Sequence, residues 1–210
     1  MKRVLSTLAS LVLVVWSVAF DCEAQTMKVW NFDSDPAAVI AKGFTNDFGS
    51  WQVAADANAP SKPNVLAQVA KSSSPDFNVT LISGTSYKDV DLTVRMKAVA
   101  GRIDQGGGLV WRAKDGKNYY IARYNPLEDN FRVYKVADGK RTEFQSATIK
   151  HTDGWHTLRI TMAADHIECY YDGKKYLDVK DSTFTNAGRI GLWTKADAQT
   201  HFDDLTVNGK

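Results

Sequence analysis

The sequence predicts an all-β protein built as an antiparallel sandwich of two sheets, and three observations carry that prediction. Apolar and polar residues alternate with period two along most of the chain, with almost no helical periodicity. The alternating runs are short. Several are separated by Asp-Gly pairs, which tolerate the positive φ that tight hairpins require. Many short strands punctuated in this way describe a sandwich or barrel rather than a βαβ fold.

The amino terminus has a different character. Lys2 and Arg3 precede an apolar run from Val4 to Phe20, and Cys22-Glu23-Ala24 follows as a polar, small-residue exit. That layout is a secretory signal peptide over residues 1–24, and its apolar core is short for a bilayer span. A competing reading makes Cys22 an acylated lipoprotein cysteine, against which Phe20 and Asp21 occupy places that small residues should fill. Residues 25–210 are then one domain, expected in a secreted or periplasmic setting, with no membrane span.

The chain carries 26 Lys and Arg against 24 Asp and Glu, a formal charge of +2 with the signs interspersed. This balance gives no basis for nucleic-acid binding or membrane adhesion. Beyond the signal segment only Cys169 remains, so no internal disulfide is available and a buried small hydrophobe is its default role.

The clearest strand is Val90–Ala98, which puts Val90, Leu92, Val94, Met96 and Ala98 on one face and Asp91, Thr93, Arg95 and Lys97 on the other. Further strands are expected near Lys28–Phe32, Trp51–Ala54, Val65–Val69, Phe77–Ile82, Leu109–Ala113, Tyr119–Tyr124 and Phe131–Val136. Others follow near Trp155–Met162, Ile167–Tyr171, Lys175–Val179, Arg189–Thr194 and His201–Val207. Asp115-Gly116, Asp138-Gly139 and Asp172-Gly173 are the hairpin pairs. Asp56–Pro63 and Lys71–Asp76 read as loops, and Asp35–Ala41 as a short helical turn with Pro36 at its first position.

Four segments in order, Trp155–Ile160, Ile167–Gly173, Gly188–Trp193 and Phe202–Val207, resemble the concanavalin A-like lectin/glucanase superfamily. The resemblance is closest to its laminin-G-like and 3-keto-disaccharide hydrolase-like branches and strongest from Gly107 onward. It implies a jelly-roll sandwich and a carbohydrate-related role. In that frame the strand around Phe202 pairs with the first strand around Trp30-Asn31-Phe32. Gly188 and Gly191 flank a strand at places where bulk would block the neighbouring sheet.

The chemistry of the chain argues against a glucanase. That activity needs two carboxyl groups about 5–10 Å apart, and the Glu-x-Asp-x-x-Glu pattern is absent. Glu128-Asp129 is the nearest pair, and it falls in a loop. His151, His156, His166 and His201 show no zinc-binding spacing, and no Gly-x-Ser-x-Gly elbow occurs. No catalytic residue is assigned and no cofactor is expected, with Asp203 and Asp204 as the candidate ligands should a structural calcium be held.

The segment Leu109–Lys135 places an arginine beside aromatic residues in each of three successive strands. Sugars stack on aromatic rings and bond to planar polar groups, so a sheet face displaying Arg112, Tyr119, Arg123, Asn125, Arg132 and Trp193 is the candidate glycan site. The arginines suit acidic or sulfated glycans. The alternative makes the tyrosines core and the arginines a solvated face paired with Glu128 or Asp129. The leading functional expectation is a non-catalytic carbohydrate-binding protein. A sugar-cleaving hydrolase of the 3-keto-disaccharide kind, using Glu128, Arg123 and Arg112, and a structural or protein-binding module are the alternatives.

Overall fold

The computed structural model describes residues 27–73 and 76–210, so the expected signal peptide lies outside the described residues. Fifteen strands follow in order: β1 (Lys28–Trp30), β2 (Phe44–Phe48), β3 (Trp51–Ala55), β4 (Asn64–Gln68), β5 (Phe77–Ile82), β6 (Val90–Ala100), β7 (Gly107–Asp115) and β8 (Asn118–Asn125). Then come β9 (Asn130–Ala137), β10 (Lys140–Thr148), β11 (His156–Ala163), β12 (His166–Tyr171), β13 (Lys174–Lys180), β14 (Arg189–Lys195) and β15 (Gln199–Gly209). Sheet I runs β13-β12-β11-β6-β15-β4-β3, with β1 also alongside β15, and sheet II runs β10-β9-β8-β7-β14-β5-β2. All neighbours are antiparallel. The fold is a concanavalin A-like jelly-roll sandwich, as the alternation and turns imply.

Sheet I obeys the simple rule. In β6, Val90, Leu92, Val94 and Met96 are buried while Asp91, Thr93, Arg95 and Lys97 lie on the outer side. Leu92, Val94, Leu158, Ile160 and Phe202 meet Leu109, Trp111, Tyr120, Phe131 and Leu192 of sheet II in one core. Trp111 stacks on Tyr120 with ring centroids 5.6 Å apart, and its indole N–H points at Met162 Sδ, 3.0 Å away. Cys169 is fully buried.

Several connections differ from the sequence reading. The turn Asp35–Ala41 is not helical: Ala38 takes φ +64°, and Ala38 N and Val39 O bond to Val53 across to β3. Asp138-Gly139 and Asp172-Gly173 are two-residue turns with both φ angles positive, as expected for hairpins. Asp115-Gly116 is not such a turn, because Asp115 ends β7 and its carboxylate holds Lys117 N and the Asn118 amide instead. The partner of β11 returns through Ala164-Asp165, and Asp172-Gly173 joins β12 to β13. The first strand does pair with the last, but as Lys28–Trp30 against Leu205–Val207, while Phe202 lies opposite Leu66 and Met96. Strands β2 and β10 escaped the sequence reading because edge strands carry polar residues on both faces.

Sheet II is buried on both sides. Val79, Leu81, Val110, Tyr119, Ile121, Tyr134, Val136 and Trp193 form a second apolar cluster on the face turned away from sheet I. That face is bent inward. Strands β10 and β5 are five steps apart, which is about 24 Å in a flat sheet. Yet the Arg141 guanidinium of β10 sits 5.3 Å from the Phe77 ring of β5 and 5.7 Å from the Trp193 ring of β14. The outer face of sheet II is therefore a trough.

Glycine permits the close strand spacing at its floor. A Cβ on Gly108 would lie 1.9 Å from the Ala122 carbonyl oxygen, and one on Gly191 would lie 2.1 Å from that of Thr80. The clash at Gly191 is with the neighbouring strand rather than the facing sheet. Gly108→Ala is expected to destabilise the domain by about 2 kcal/mol, typical of overpacking. Thermal melts should show this as a fall of about 4–8 °C relative to wild type.

Candidate functional site

The trough collects four of the six residues marked in the sequence on one sheet face, with Asn125 at its end. Tyr119 and Arg123 of β8, Arg132 of β9 and Trp193 of β14 belong to the face of sheet II turned away from the core. Tyr119 and Trp193 are not an open platform. Both are fully buried, and the Trp193 indole N–H donates to the Tyr119 hydroxyl at 3.1 Å. Burial pushes the Tyr119 phenol well above its ordinary value, so it stays neutral.

Arg112 does not join them. A bulge with φ +46° at this residue turns its side chain to the other end of the strand. There it is 3% exposed and donates to the carbonyls of Lys88, Ala164 and Phe184 at 2.6, 2.6 and 2.8 Å. Its Nη2 also lies 3.5 Å from Asp89. The fork ties three loops together.

A polar cluster caps one end of the trough. Arg123, 2% exposed, donates to Asn130 Oδ1 at 2.5 Å, to Glu128 Oε2 at 2.9 Å and to the Tyr134 hydroxyl at 3.2 Å. Arg132 lies 3.5 Å from both Glu128 Oε2 and Glu143 and donates to Ser146. Burial alone would raise the Glu128 carboxyl, but hydrogen bonds from Asn130 and Arg123, with the charges of Arg123 and Arg132, hold it down at about 2. Every one of those bonds falls on Oε2. Glu128 Oε1 has no protein partner among the described residues, on a side chain that is 44% exposed.

Asn125 links this cluster to a second carboxylate. Its amide donates to Asp104 Oδ1 at 2.9 Å, and its Oδ1 accepts from Leu127 N and Glu128 N. Asp104 also receives Lys195 at 3.2 Å. Burial pushes the Asp104 carboxyl up against the opposing charges of Arg123 and Lys195. Its loop is fixed from below: the Asp197 carboxylate accepts backbone N–H bonds from Arg102, Ile103 and Asp104 at 2.7, 3.0 and 3.0 Å.

A cleft of about 690 Å³ opens beside the trough. Phe48 and Gly49 at the end of β2, Asp76 with Phe77 and Asn78 of β5, and the tips carrying Gly116, Lys117 and Gly139 line it. The β7–β8 and β9–β10 tips are locked together by Gly139 N to Lys117 O and by Asp138 N to Asn118 Oδ1, both 2.9 Å. Asn78, the asparagine of an Asn-Val-Thr sequon, is buried with its amide bonded to Thr194 and Ala196.

Asp203 and Asp204, the candidate calcium ligands, lie on β15 of sheet I; Asp203 is buried, and its carboxylate accepts from Ser61 N and Oγ and from Asp204 N. On the outer side of sheet I, donor atoms of His166, Glu168 and Asp178 lie within 4.8 Å of one another. The Lys175 ammonium bridges Glu168 and Asp178 at 2.7 Å each.

The trough residues Asp104, Asn130, Glu143, Lys195, Phe48, Phe77 and Arg141 escaped the sequence reading. Arg141 could have been found. The Asp138-Gly139 hairpin demands a returning strand, and Arg141 and Glu143 alternate on it.

This architecture defines the class, a concanavalin A-like sandwich. Solved structures of similar fold include the carbohydrate-binding module CBM66 from Bacillus subtilis, at 22% identity over 80% of this chain and 96% of that one, with a TM-score of 0.67. A galectin-like protein of unknown function from Bacillus subtilis aligns at 13% identity over 80% and 90% of the two chains, with a TM-score of 0.60. Crh5 transglycosylase aligns at 14% identity over 89% and 85%, also with a TM-score of 0.60. Residues 24–208 match the 3-keto-alpha-glucoside-1,2-lyase-like domain, and the chain belongs to that family. No curated protein sequence matches it.

Two outcomes separate scaffold from site. Arg112→Met is expected to cost about 3 kcal/mol or more by stranding three buried carbonyls, lowering the melting temperature by about 6–12 °C. Glu128 has its folded value depressed from 4.5 to about 2, so its stabilising effect is present above pH 4.5 and lost as pH falls toward 2. The melting-temperature gap between wild type and Glu128→Gln should therefore close progressively between those pH values.

Proposed function

We propose that the protein is a non-catalytic carbohydrate-binding module whose ligand lies along the trough of sheet II. The observation that carries this reading is the cleft beside the trough. Its volume falls within the ordinary range for small-molecule sites, and it sets the Phe48 and Phe77 rings against polar backbone and Lys117. An aromatic surface that offers a sugar its C–H face, beside donors and acceptors for its hydroxyls, is the chemistry of glycan recognition. The Glu128–Arg132 pair, with Glu128 Oε1 free, supplies a second contact for vicinal hydroxyls. The family and the similarly folded carbohydrate-binding module support the same substrate class. The amino-terminal signal layout supports an extracytoplasmic place of action.

A hydrolytic reading is favoured by one observation. Asp104 and Glu128 flank Arg123 with their carboxyl groups driven in opposite directions, the pattern that separates an acid from a base. Against it, Glu128 is fixed by three partners and Asp104 by two.

Calorimetric titration with a panel of neutral and acidic oligosaccharides tests the proposal. Binding should occur without product release, and Phe48→Ala should weaken it at least tenfold while the melting temperature barely moves, since Phe48 is 43% exposed. Absence of binding across the panel sinks the glycan reading. Product release that Glu128→Gln abolishes sinks the non-catalytic half.

A further inference from the structure

Arg141 stands apart from the other arginines of the trough. Arg123 and Arg132 are each matched by Glu128, whereas Arg141 has no hydrogen bond and no ion pair among the described residues. Its guanidinium is held instead by rings: 4.5 Å from the Tyr134 centroid, 5.3 Å from Phe77 and 5.7 Å from Trp193. Nη1 is shut off from solvent with no acceptor in reach. The rings fix the plane of the fork and supply attraction to its face, but no acceptor for its in-plane N–H groups. A preoriented fork with unfilled donors is the arrangement that takes a planar oxyanion through two parallel bonds.

Its surroundings add to this. Phe77, one of the rings holding Arg141, also lines the cleft, so the fork borders the space where a ligand would sit. Gly139, two residues earlier on the same hairpin, forms part of the cleft wall. The exposed Lys117 ammonium on that wall has no ion pair either. Two acidic side chains stand near the cleft: Asp47 on the neighbouring turn is engaged by the Thr45 hydroxyl, and Asp76 on the wall accepts from Ser72 at 3.2 Å. Lys117 on the wall and Arg141 beside Phe77 are the two cations here without an ion pair among the described residues.

We propose that the trough selects glycans bearing a carboxylate, uronic-acid residues, and that Arg141 is the receptor for that group. This rests on the glycan-binding reading and sharpens its ligand class. The carboxylate lies in the plane of the guanidinium and accepts from its outer N–H groups, with Lys117 adding charge at the mouth. The sugar ring that carries the carboxylate packs toward Phe77 and Phe48.

The test compares trigalacturonic acid with its fully methyl-esterified form, which has the same rings and linkages without the charge. Titration at low ionic strength should show the acid binding wild type at least tenfold more tightly than the ester. Arg141→Gln should bring that ratio close to one by weakening the acid far more than the ester. Because Arg141 covers Tyr134 and Trp193, Arg141→Lys is measured in parallel. It keeps the stem and the charge but not the fork, and should hold the melting temperature while losing most of the preference. Equal affinity of wild type for acid and ester overturns carboxylate selection and leaves the glycan reading standing. Failure of both ligands to bind overturns carboxylate selection, and the glycan reading is then decided by the wider panel. A preference undiminished in both variants overturns the assignment to Arg141.

Discussion

A strand that is buried on both faces has no solvent side on which to place its charges, and β7, β8 and β14 are in that position. One face lies against sheet I and the other lines the trough, so the charged and amide side chains on these strands have to be met from inside the protein. Arg112 finds three carbonyls, Arg123 finds Asn130, Glu128 and Tyr134, and Asn125 finds Asp104. Leaving one buried member of such a set unmatched costs about 3–5 kcal/mol when a charge is involved. Most of the site's geometry follows from this requirement. Arg141, on the part-exposed edge strand, is the arginine released from it.

The bend of sheet II follows from the same constraint. A flat sheet would leave the second apolar cluster open to water, whereas a trough lets Arg141 and Phe77 close over Tyr119, Trp193 and Tyr134. Long cationic side chains bury apolar surface along their stems, and Arg141 does so across rings from three strands. Gly108 and Gly191 keep the floor free of Cβ atoms where neighbouring carbonyls press closest.

Sheet I was legible in the sequence because it has one dry and one wet face, so β6, β11 and β12 alternate cleanly. Sheet II was legible as strands but not as faces. Leu109, Val110, Trp111, Arg112 and Ala113 are all buried, and a run with no exposed member carries no phase. The bulge at Arg112 shifts that phase again, which is why Arg112 was grouped with Arg123 although the two share no surface. The tyrosines divided in a way that neither sequence reading described. Tyr120 and Tyr124 belong to the inter-sheet core, and Tyr119 and Tyr134 to the trough. Residues that reach the site from loops or edges, such as Asp104 and Phe48, leave no periodic trace. Their placement depends on pairings far along the chain, as when Asp197 fixes the loop that carries Asp104.

That last contact shapes how the protein can change. Asp197 grips Arg102, Ile103 and Asp104 only through main-chain N–H groups, which every residue except proline possesses. The shape of the loop is thus uncoupled from the identity of the side chains at 102 and 103. Ile103, 55% exposed at the rim beside Asp104, can be exchanged for a polar, charged or aromatic residue with the backbone still held. Descendants of this scaffold could acquire new preferences at that rim by single substitutions, without first having to rebuild the wall that supports it.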